Sequence, residues 1–218
     1  MQTFGGHPPE ADSGQGAEAA APRGVICFAA GSLILTPLGP CPVETLRQGD
    51  RVLTRDSGAR EIRWIGRRTV AGLGELAPVR IAAGVLGASR DLWVSQQHRL
   101  LLCAPRLELY TGETEAFVPA RHLADSRAVS IRQVPRVTYV HLMFDRPEVI
   151  WADGVACESF FVGASGRASM TAGMRAEFAA LLPDLAAGTG LPGGPARPSL
   201  DRRETAALAL GPAGLLTG

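Results

Sequence analysis

The sequence of 218 residues contains neither lysine nor asparagine, and all 22 of its basic residues are arginine. The absence of lysine excludes chemistry that begins with a Schiff base on a lysine amine. Because the formal net charge is only +1, no excess of charge indicates a nucleic-acid partner. No run of about 18 apolar residues occurs, so no membrane span is predicted.

Cysteine is also scarce, and the four cysteines are spread along the chain without a C-x-x-C pair. This spacing is typical neither of a zinc knuckle nor of a dense disulfide framework, so we predict reduced thiols, no metal and no cofactor. The first 24 residues lack the charged and apolar regions of a secretory signal peptide. A cytoplasmic location is the expectation, with non-classical export left open.

Three regions differ in composition. Residues 1–24 are rich in glycine, alanine and proline, which predicts a flexible leader. Residues 25–163 alternate short apolar runs with turn signals, which predicts an all-β domain of short strands and hairpins. The turn signals are Leu38–Pro40, Asp56–Gly58 and Asp153–Gly154, and we expect the last to close a hairpin between the strands around Trp151 and Cys157.

Residues 164–218 form a tail that is rich in alanine, glycine and proline. Apolar residues at helical spacing predict one amphipathic helix over residues 169–185, and a second, short helix is predicted over residues 200–210. Residues 188–198, between them, have the composition of a linker.

Cys27 stands where the leader meets the first apolar run. On its own, a cysteine in such a run is more often a small buried hydrophobic residue than a nucleophile. Here it is followed by the segments GSLILT, residues 31–36, and VETLRQGDRV, residues 43–52. A further segment, LWVSQQHRL, has Ser95 and His98 three residues apart.

This ordered pattern resembles the opening of Hint domains, the self-cleaving modules shared by hedgehog proteins and inteins, and in particular their bacterial stand-alone type. The resemblance covers about residues 25–163, and Ser95 replaces the more usual threonine. It implies a compact Hint β-fold. It also implies that Cys27 attacks the carbonyl of the preceding residue, Ile26, in an N-to-S acyl shift, and that the Ile26–Cys27 bond is cleaved through a thioester.

The resemblance also implies roles for individual residues, with the chain's own N-terminal segment as the substrate. His98 would polarise and then protonate the Cys27 nitrogen, and the Ser95 hydroxyl would position the amide. A further group must accept the thiol proton, and Asp50 is a candidate base. Each well-placed acid or base contributes about 10² to 10⁴ in rate.

The segment from Val137 to Asp145 and the segment from Val155 to Phe160 look like the closing strands of bacterial Hint domains. Strand alternation puts His141 on one face of its strand, where it is either a core histidine or a member of the site. Cys157 matches the position of a late cysteine in hedgehog-type domains, but a buried structural thiol fits it equally well.

Splicing is a separate question, because inteins release their C-terminal flank by cyclising an asparagine. With no asparagine in the sequence, only N-terminal cleavage or thioester transfer is expected. The nucleophile that attacks the thioester stays open among water, a thiol, an amine and an alcohol.

Two other functions are weighed against self-cleavage. One is a Hint-fold module that binds or interacts without cleaving. The other is a Cys–His hydrolase that acts on other molecules, and two features disfavour it. The chain lacks the local signatures of such enzymes, and Cys27 stands at a strand start rather than at a helix N-terminus.

Overall fold

The computed structural model describes residues 26–124, 127–160, 172–173, 175–176 and 195–208. Within them the first strands are β1 (Phe28–Ala29), β2 (Leu33–Thr36), β3 (Gly39–Pro42), β4 (Arg51–Thr54), β5 (Gly58–Glu61), β6 (Trp64–Gly72) and β7 (Val79–Ile81). The later strands are β8 (Leu92–Val94), β9 (Arg99–Cys103), β10 (Glu115–Pro119), β11 (Val129–Ile131), β12 (Val134–Met143), β13 (Val149–Ala152) and β14 (Val155–Glu158). Two α-helices have both ends within the described residues, namely α1 (Pro105–Thr111) and α2 (Arg202–Ala207).

The strands form two antiparallel sheets. One has the order β11-β7-β8-β1-β12-β6, and the other has the order β10-β9-β14-β13-β2-β3, with the β4–β5 hairpin attached through β13. The predicted all-β class, built from short strands and hairpins, is therefore confirmed.

Strand alternation divides the first sheet into two faces, and this division positions the site. Phe28 on β1 and its partner Val140 on β12 belong to the main hydrophobic cluster, which also takes residues from the second sheet. Cys27 and Tyr139 belong to a separate, smaller cluster. Neighbouring residues of a strand point to opposite faces, so the thiol of Cys27 lies on the face that turns away from the main core.

The hairpin predicted at Asp153–Gly154 is confirmed. The turn brings β14 back along β13, so that Ile150 pairs with Cys157. Both turn residues have left-handed backbone angles, with φ of 49° at Asp153 and 90° at Gly154, as tight hairpin turns require. A Cβ at Gly154 would stand 2.6 Å from the carbonyl oxygen of Gly87, so only glycine fits there.

The apolar pattern does not predict every element. Strands β3, β5 and β10 and the seven-residue helix α1 were not expected. The first turn signal also lies slightly displaced, because the β2–β3 turn is formed by Pro37 and Leu38, and Gly39 and Pro40 already belong to β3.

Residues 195–208 dock on the edge strand β10. The amide of Phe117 donates to the Pro198 carbonyl at 2.7 Å, and the amide of Leu200 donates to the Phe117 carbonyl at 2.8 Å. Helix α2 then begins at a capping box formed by Asp201 and Glu204, which satisfies its first free amides. The short helix predicted near residues 200–210 is confirmed over the bounds of α2.

Some predictions lie outside the described residues, namely the leader and most of the helix over residues 169–185. Of that helix the structure describes Ala172, Gly173, Arg175 and Ala176, which are helical. The bounds of the three regions stay predictions. In the described part of the chain, no helix has the length and apolarity needed to cross a membrane.

Candidate active site

Cys27 is buried immediately before β1, where Ser95, directly after β8, holds its backbone through two hydrogen bonds. Its amide donates to the Ser95 hydroxyl at 3.1 Å. Its carbonyl accepts from the Ser95 amide at 3.0 Å. Ser95 thus fixes the peptide unit on both sides of the Cys27 Cα, which holds the backbone in one orientation.

His141 on β12 contacts both reacting groups of the predicted chemistry. Its Nδ1 lies 3.0 Å from the carbonyl oxygen of Ile26. The Sγ of Cys27 lies 3.5 Å from Nε2 and 3.6 Å from Nδ1 of the same ring. A carbonyl oxygen only accepts hydrogen bonds, so this contact requires the proton on Nδ1 and leaves Nε2 free to accept the thiol proton.

The spacing of Ser95 and His98 has a structural reason. The His98 amide donates to the Ser95 carbonyl at 3.0 Å, which closes a four-residue turn between β8 and β9. The turn carries the His98 ring back towards β1, where it packs edge-on against Phe28 at 4.4 Å between ring centroids. Neither ring nitrogen of His98 has a hydrogen-bond partner among the described residues.

Burial sets the protonation of all three groups at neutral pH. It lowers the pKa of His98 to about 3, although the nearby Cys27 backbone opposes the shift. It lowers the pKa of His141 to about 4, against the hydrogen bond to Ile26. Burial also raises the pKa of the Cys27 thiol well above its usual range. The resting site therefore holds a neutral thiol and two neutral imidazoles, and the thiol needs a base in contact to become nucleophilic.

Two aromatic residues bury His141. The chain leaving β14 runs beside β12, where the Phe160 amide donates to the Leu142 carbonyl at 2.8 Å. The Phe160 ring meets His141 edge-on at 4.8 Å, and Trp64 lies at 6.1 Å. These rings replace water around the imidazole, which accounts for the lowered pKa of His141.

The other two predicted site residues, Asp50 and Cys157, form hydrogen bonds with residues close to them in the chain. Asp50 is exposed, and its carboxylate accepts from the Arg47 amide at 2.7 Å within its own turn. Cys157 is buried in the main hydrophobic cluster, and its thiol donates to the Val155 carbonyl at 3.5 Å. The structure thus brings Cys27, Ser95, His98 and His141 together. The surroundings of Cys157 favour a structural thiol, and the role of Asp50 as a base stays a prediction.

Three residues near Cys27 were not singled out from the sequence. They are Trp64 and Phe160, which bury His141, and Arg68 on β6, whose charge lowers the pKa of both Cys27 and His141. No motif marks them. The signal that could have found Arg68 is the pairing of β6 with β12, which the sequence does not reveal.

Comparison with solved structures returns inteins and an intein-like domain. A bacterial intein-like domain from Clostridium thermocellum is 16% identical with a TM-score of 0.40, over 62% of this chain and 99% of that chain. The gp41-1 intein is 10% identical with a TM-score of 0.38, over 60% of this chain and 96% of that chain. The AceL NrdHF class 3 split intein is 13% identical with a TM-score of 0.42, over 62% and 97% respectively. No curated protein matches the chain.

The family comparison covers more than half of the chain. The profile of the Hint domain matches residues 26–164, which include Cys27, Ser95, His98 and His141. The same range holds all fourteen strands of the described part. The chain belongs to the Hint domain family and has the fold of an autoprocessing-type domain.

Proposed function

We propose that this Hint domain cleaves its own chain at the Ile26–Cys27 peptide bond through a thioester, without splicing. One observation carries the proposal. Side chains hold both ends of this bond, His141 at the Ile26 oxygen at 3.0 Å and Ser95 at the Cys27 nitrogen at 3.1 Å. The thiol that would attack lies 3.5 Å from a nitrogen of the same histidine.

In the proposed reaction His141 has two roles on one ring. Nε2 accepts the thiol proton as Sγ bonds to the Ile26 carbonyl carbon, and Nδ1–H donates to the oxygen on which negative charge develops. Because the nucleophile belongs to the next residue of the chain, folding has already met most of the entropic cost of bringing the reactants together.

The nitrogen of Cys27 becomes basic when the carbonyl carbon turns tetrahedral, because amide resonance is lost. We assign His98 to relay the proton to this nitrogen, because its neutral ring can accept a proton at one nitrogen as it gives one up from the other. The proton that His141 took from the thiol returns through the site or solvent, and the bond between Ile26 and the nitrogen breaks to leave the thioester and a free amine. The proton lost by the thiol balances the proton gained by the nitrogen. The acyl shift therefore consumes no proton, which suits two histidines that rest in the neutral form.

The C-terminal flank is expected to stay attached. Asparagine cyclisation is the step by which inteins release that flank, and the sequence contains no asparagine. The products of the proposed reaction are the segment that precedes Cys27 and a fragment that begins with Cys27.

Intact mass after incubation with nucleophiles tests the proposal. Dithiothreitol should release the preceding segment as its thioester, and hydroxylamine should release it with a hydroxamate on Ile26, because both attack the Ile26 carbonyl. The fragment that begins at Cys27 should carry a free amine. A mass unchanged under both treatments would instead indicate a Hint-fold binding module that does not cleave.

The Ser95 hydroxyl is tested by two substitutions of nearly equal size. Ser95→Val removes the hydrogen bond to the Cys27 amide and should slow cleavage about tenfold, since a buried hydrogen bond contributes about 1 to 1.5 kcal/mol. Ser95→Thr keeps the hydroxyl and should cleave at least as fast as the wild type. Equal rates for the two variants, measured by mass spectrometry with hydroxylamine, would remove Ser95 from the reaction.

A further inference from the structure

Arg68 shares a face of the first sheet with the reacting groups. It lies directly opposite Tyr139 in the β6–β12 pairing, and residues that face each other across two strands point to the same side. His141 follows Tyr139 by two positions on β12 and so lies on that side as well. Tyr139 packs in one cluster with Cys27, whose thiol lies 3.5 Å from His141.

The guanidinium of Arg68 is unpaired among the described residues, where it has no carboxylate partner and no hydrogen bond. Arginines on two other strands differ in this respect, because Arg80 on β7 pairs with Asp91 at 2.6 Å and Arg99 on β9 pairs with Glu158 at 2.9 Å. Arg68 is also half-buried. A half-buried cation without a counter-charge attracts an anion, since desolvation is otherwise uncompensated.

The charge of Arg68 reaches the reacting groups. It lowers the pKa of the Cys27 thiol, because a cation favours the thiolate, and it lowers the pKa of His141, because it disfavours a second cation. An anion that approaches the Ile26 carbonyl would therefore meet a favourable potential.

From this placement we infer that Arg68 selects the nucleophile, favouring anionic thiols in the attack on the Cys27 thioester. The inference rests on the proposed function. In the step, the thiolate sulfur of the incoming molecule bonds to the Ile26 carbonyl carbon, and the bond from that carbon to Cys27 Sγ breaks. Cys27 leaves as a thiolate that takes a proton from the site or from solvent. The preceding segment leaves as the thioester of the incoming thiol, whose second, anionic group is the one that Arg68 recognises.

Three thiols of different charge test the inference on the full chain. They are 2-mercaptoethanesulfonate, which is anionic, 2-mercaptoethanol, which is neutral, and thiocholine, which is cationic. Cleavage is followed by mass spectrometry at thiol concentrations where its rate is proportional to concentration. Each rate is expressed per thiolate and divided by the rate of the same thiol with a free peptide thioester.

The wild type is expected to prefer the anionic thiol over the cationic one by about threefold to tenfold at low salt, with the preference shrinking as salt is added. Arg68→Met should abolish the preference, and Arg68→Lys should retain it. Arg106→Met is the matched control, because it removes the same charge from an exposed position on α1 and should keep the wild-type preference.

Equal preference in the wild type and Arg68→Met would overturn the inference. So would an Arg68→Met variant that slows all three thiols by one common factor, because Arg68 would then act on the acyl shift and not on the choice of nucleophile. Cleavage without any charge preference counts against the inference alone. No cleavage by any thiol would overturn the proposed function and the inference together.

Discussion

The Cys27→Ala variant is expected to fold like the wild type and to release no fragment at the Ile26–Cys27 bond. The two hydrogen bonds with Ser95 use the Cys27 backbone, so they survive the substitution. Loss of one buried sulfur should lower the free energy of unfolding by only about 1 kcal/mol. Without the thiol, however, no thioester can form. The measurement is intact mass with and without hydroxylamine, with circular dichroism to check the fold.

The other cysteines provide controls for this variant. Cys41→Ala and Cys103→Ala change a half-buried and an exposed thiol, and both variants should cleave like the wild type. Cys157→Ala should also cleave, but it should unfold at a lower denaturant concentration, because its thiol is packed in the main core. Continued cleavage by Cys27→Ala, or loss of cleavage in a well-folded Cys157→Ala, would contradict the assignment of Cys27 as the nucleophile.

The His141→Phe variant is expected to form the thioester about 10² to 10⁴ times more slowly than the wild type. Phenylalanine keeps a ring of similar shape beside Phe160 and Trp64 but removes both nitrogens. Hydroxylamine at saturating concentration measures thioester formation directly, because attack on the thioester is then fast. His98→Ala should also remain slow under these conditions, since its defect lies in the same step.

The pH profile separates a chemical role of His141 from a purely structural one. A histidine acts as a base in its neutral form, which predominates above its pKa. Because burial lowers the pKa of His141, the neutral form and the cleavage that depends on it should persist to lower pH. Wild-type cleavage should stay near its neutral rate as the pH falls below 6.5 and should decline through about pH 4. A decline centred near pH 6.5, or equal rates for the wild type and His141→Phe, would remove His141 from the proposed chemistry.

Two unexpected strands show the limits of the hydrophobic pattern. Strand β5 has the sequence GARE and is largely exposed, so it lacks the apolar alternation that marks a strand. Strand β3, GPCP, contains two prolines, which predict a turn and are tolerated in a sheet mainly on edge strands such as this one. Both form because the preceding strand of each hairpin offers backbone partners.

Helix α1 and strand β10 could not be predicted from the sequence for a different reason. Helix α1 has only seven residues, too few for a helical period to emerge from the sequence. Strand β10 follows it, and its apolar residues are buried partly by residues 195–208, which come about 80 positions later. The burial of a strand by a distant segment has no local signal.

Local patterns determined the all-β class, the Asp153–Gly154 hairpin and the order of Cys27, Ser95 and His98, because each depends on residues that are neighbours in the chain. The short turn between Ser95 and His98 belongs to this group. The function of His141 was left open by the sequence. Strand alternation predicts which face of the strand carries the side chain, but not which residues pack against that face. The pairing of β1 with β12 places the His141 ring beside the Cys27 thiol, 114 positions away in the chain. The position of Arg68 depended in the same way on the pairing of β6 with β12, because strand partners distant in the chain are selected by the packing of the whole fold.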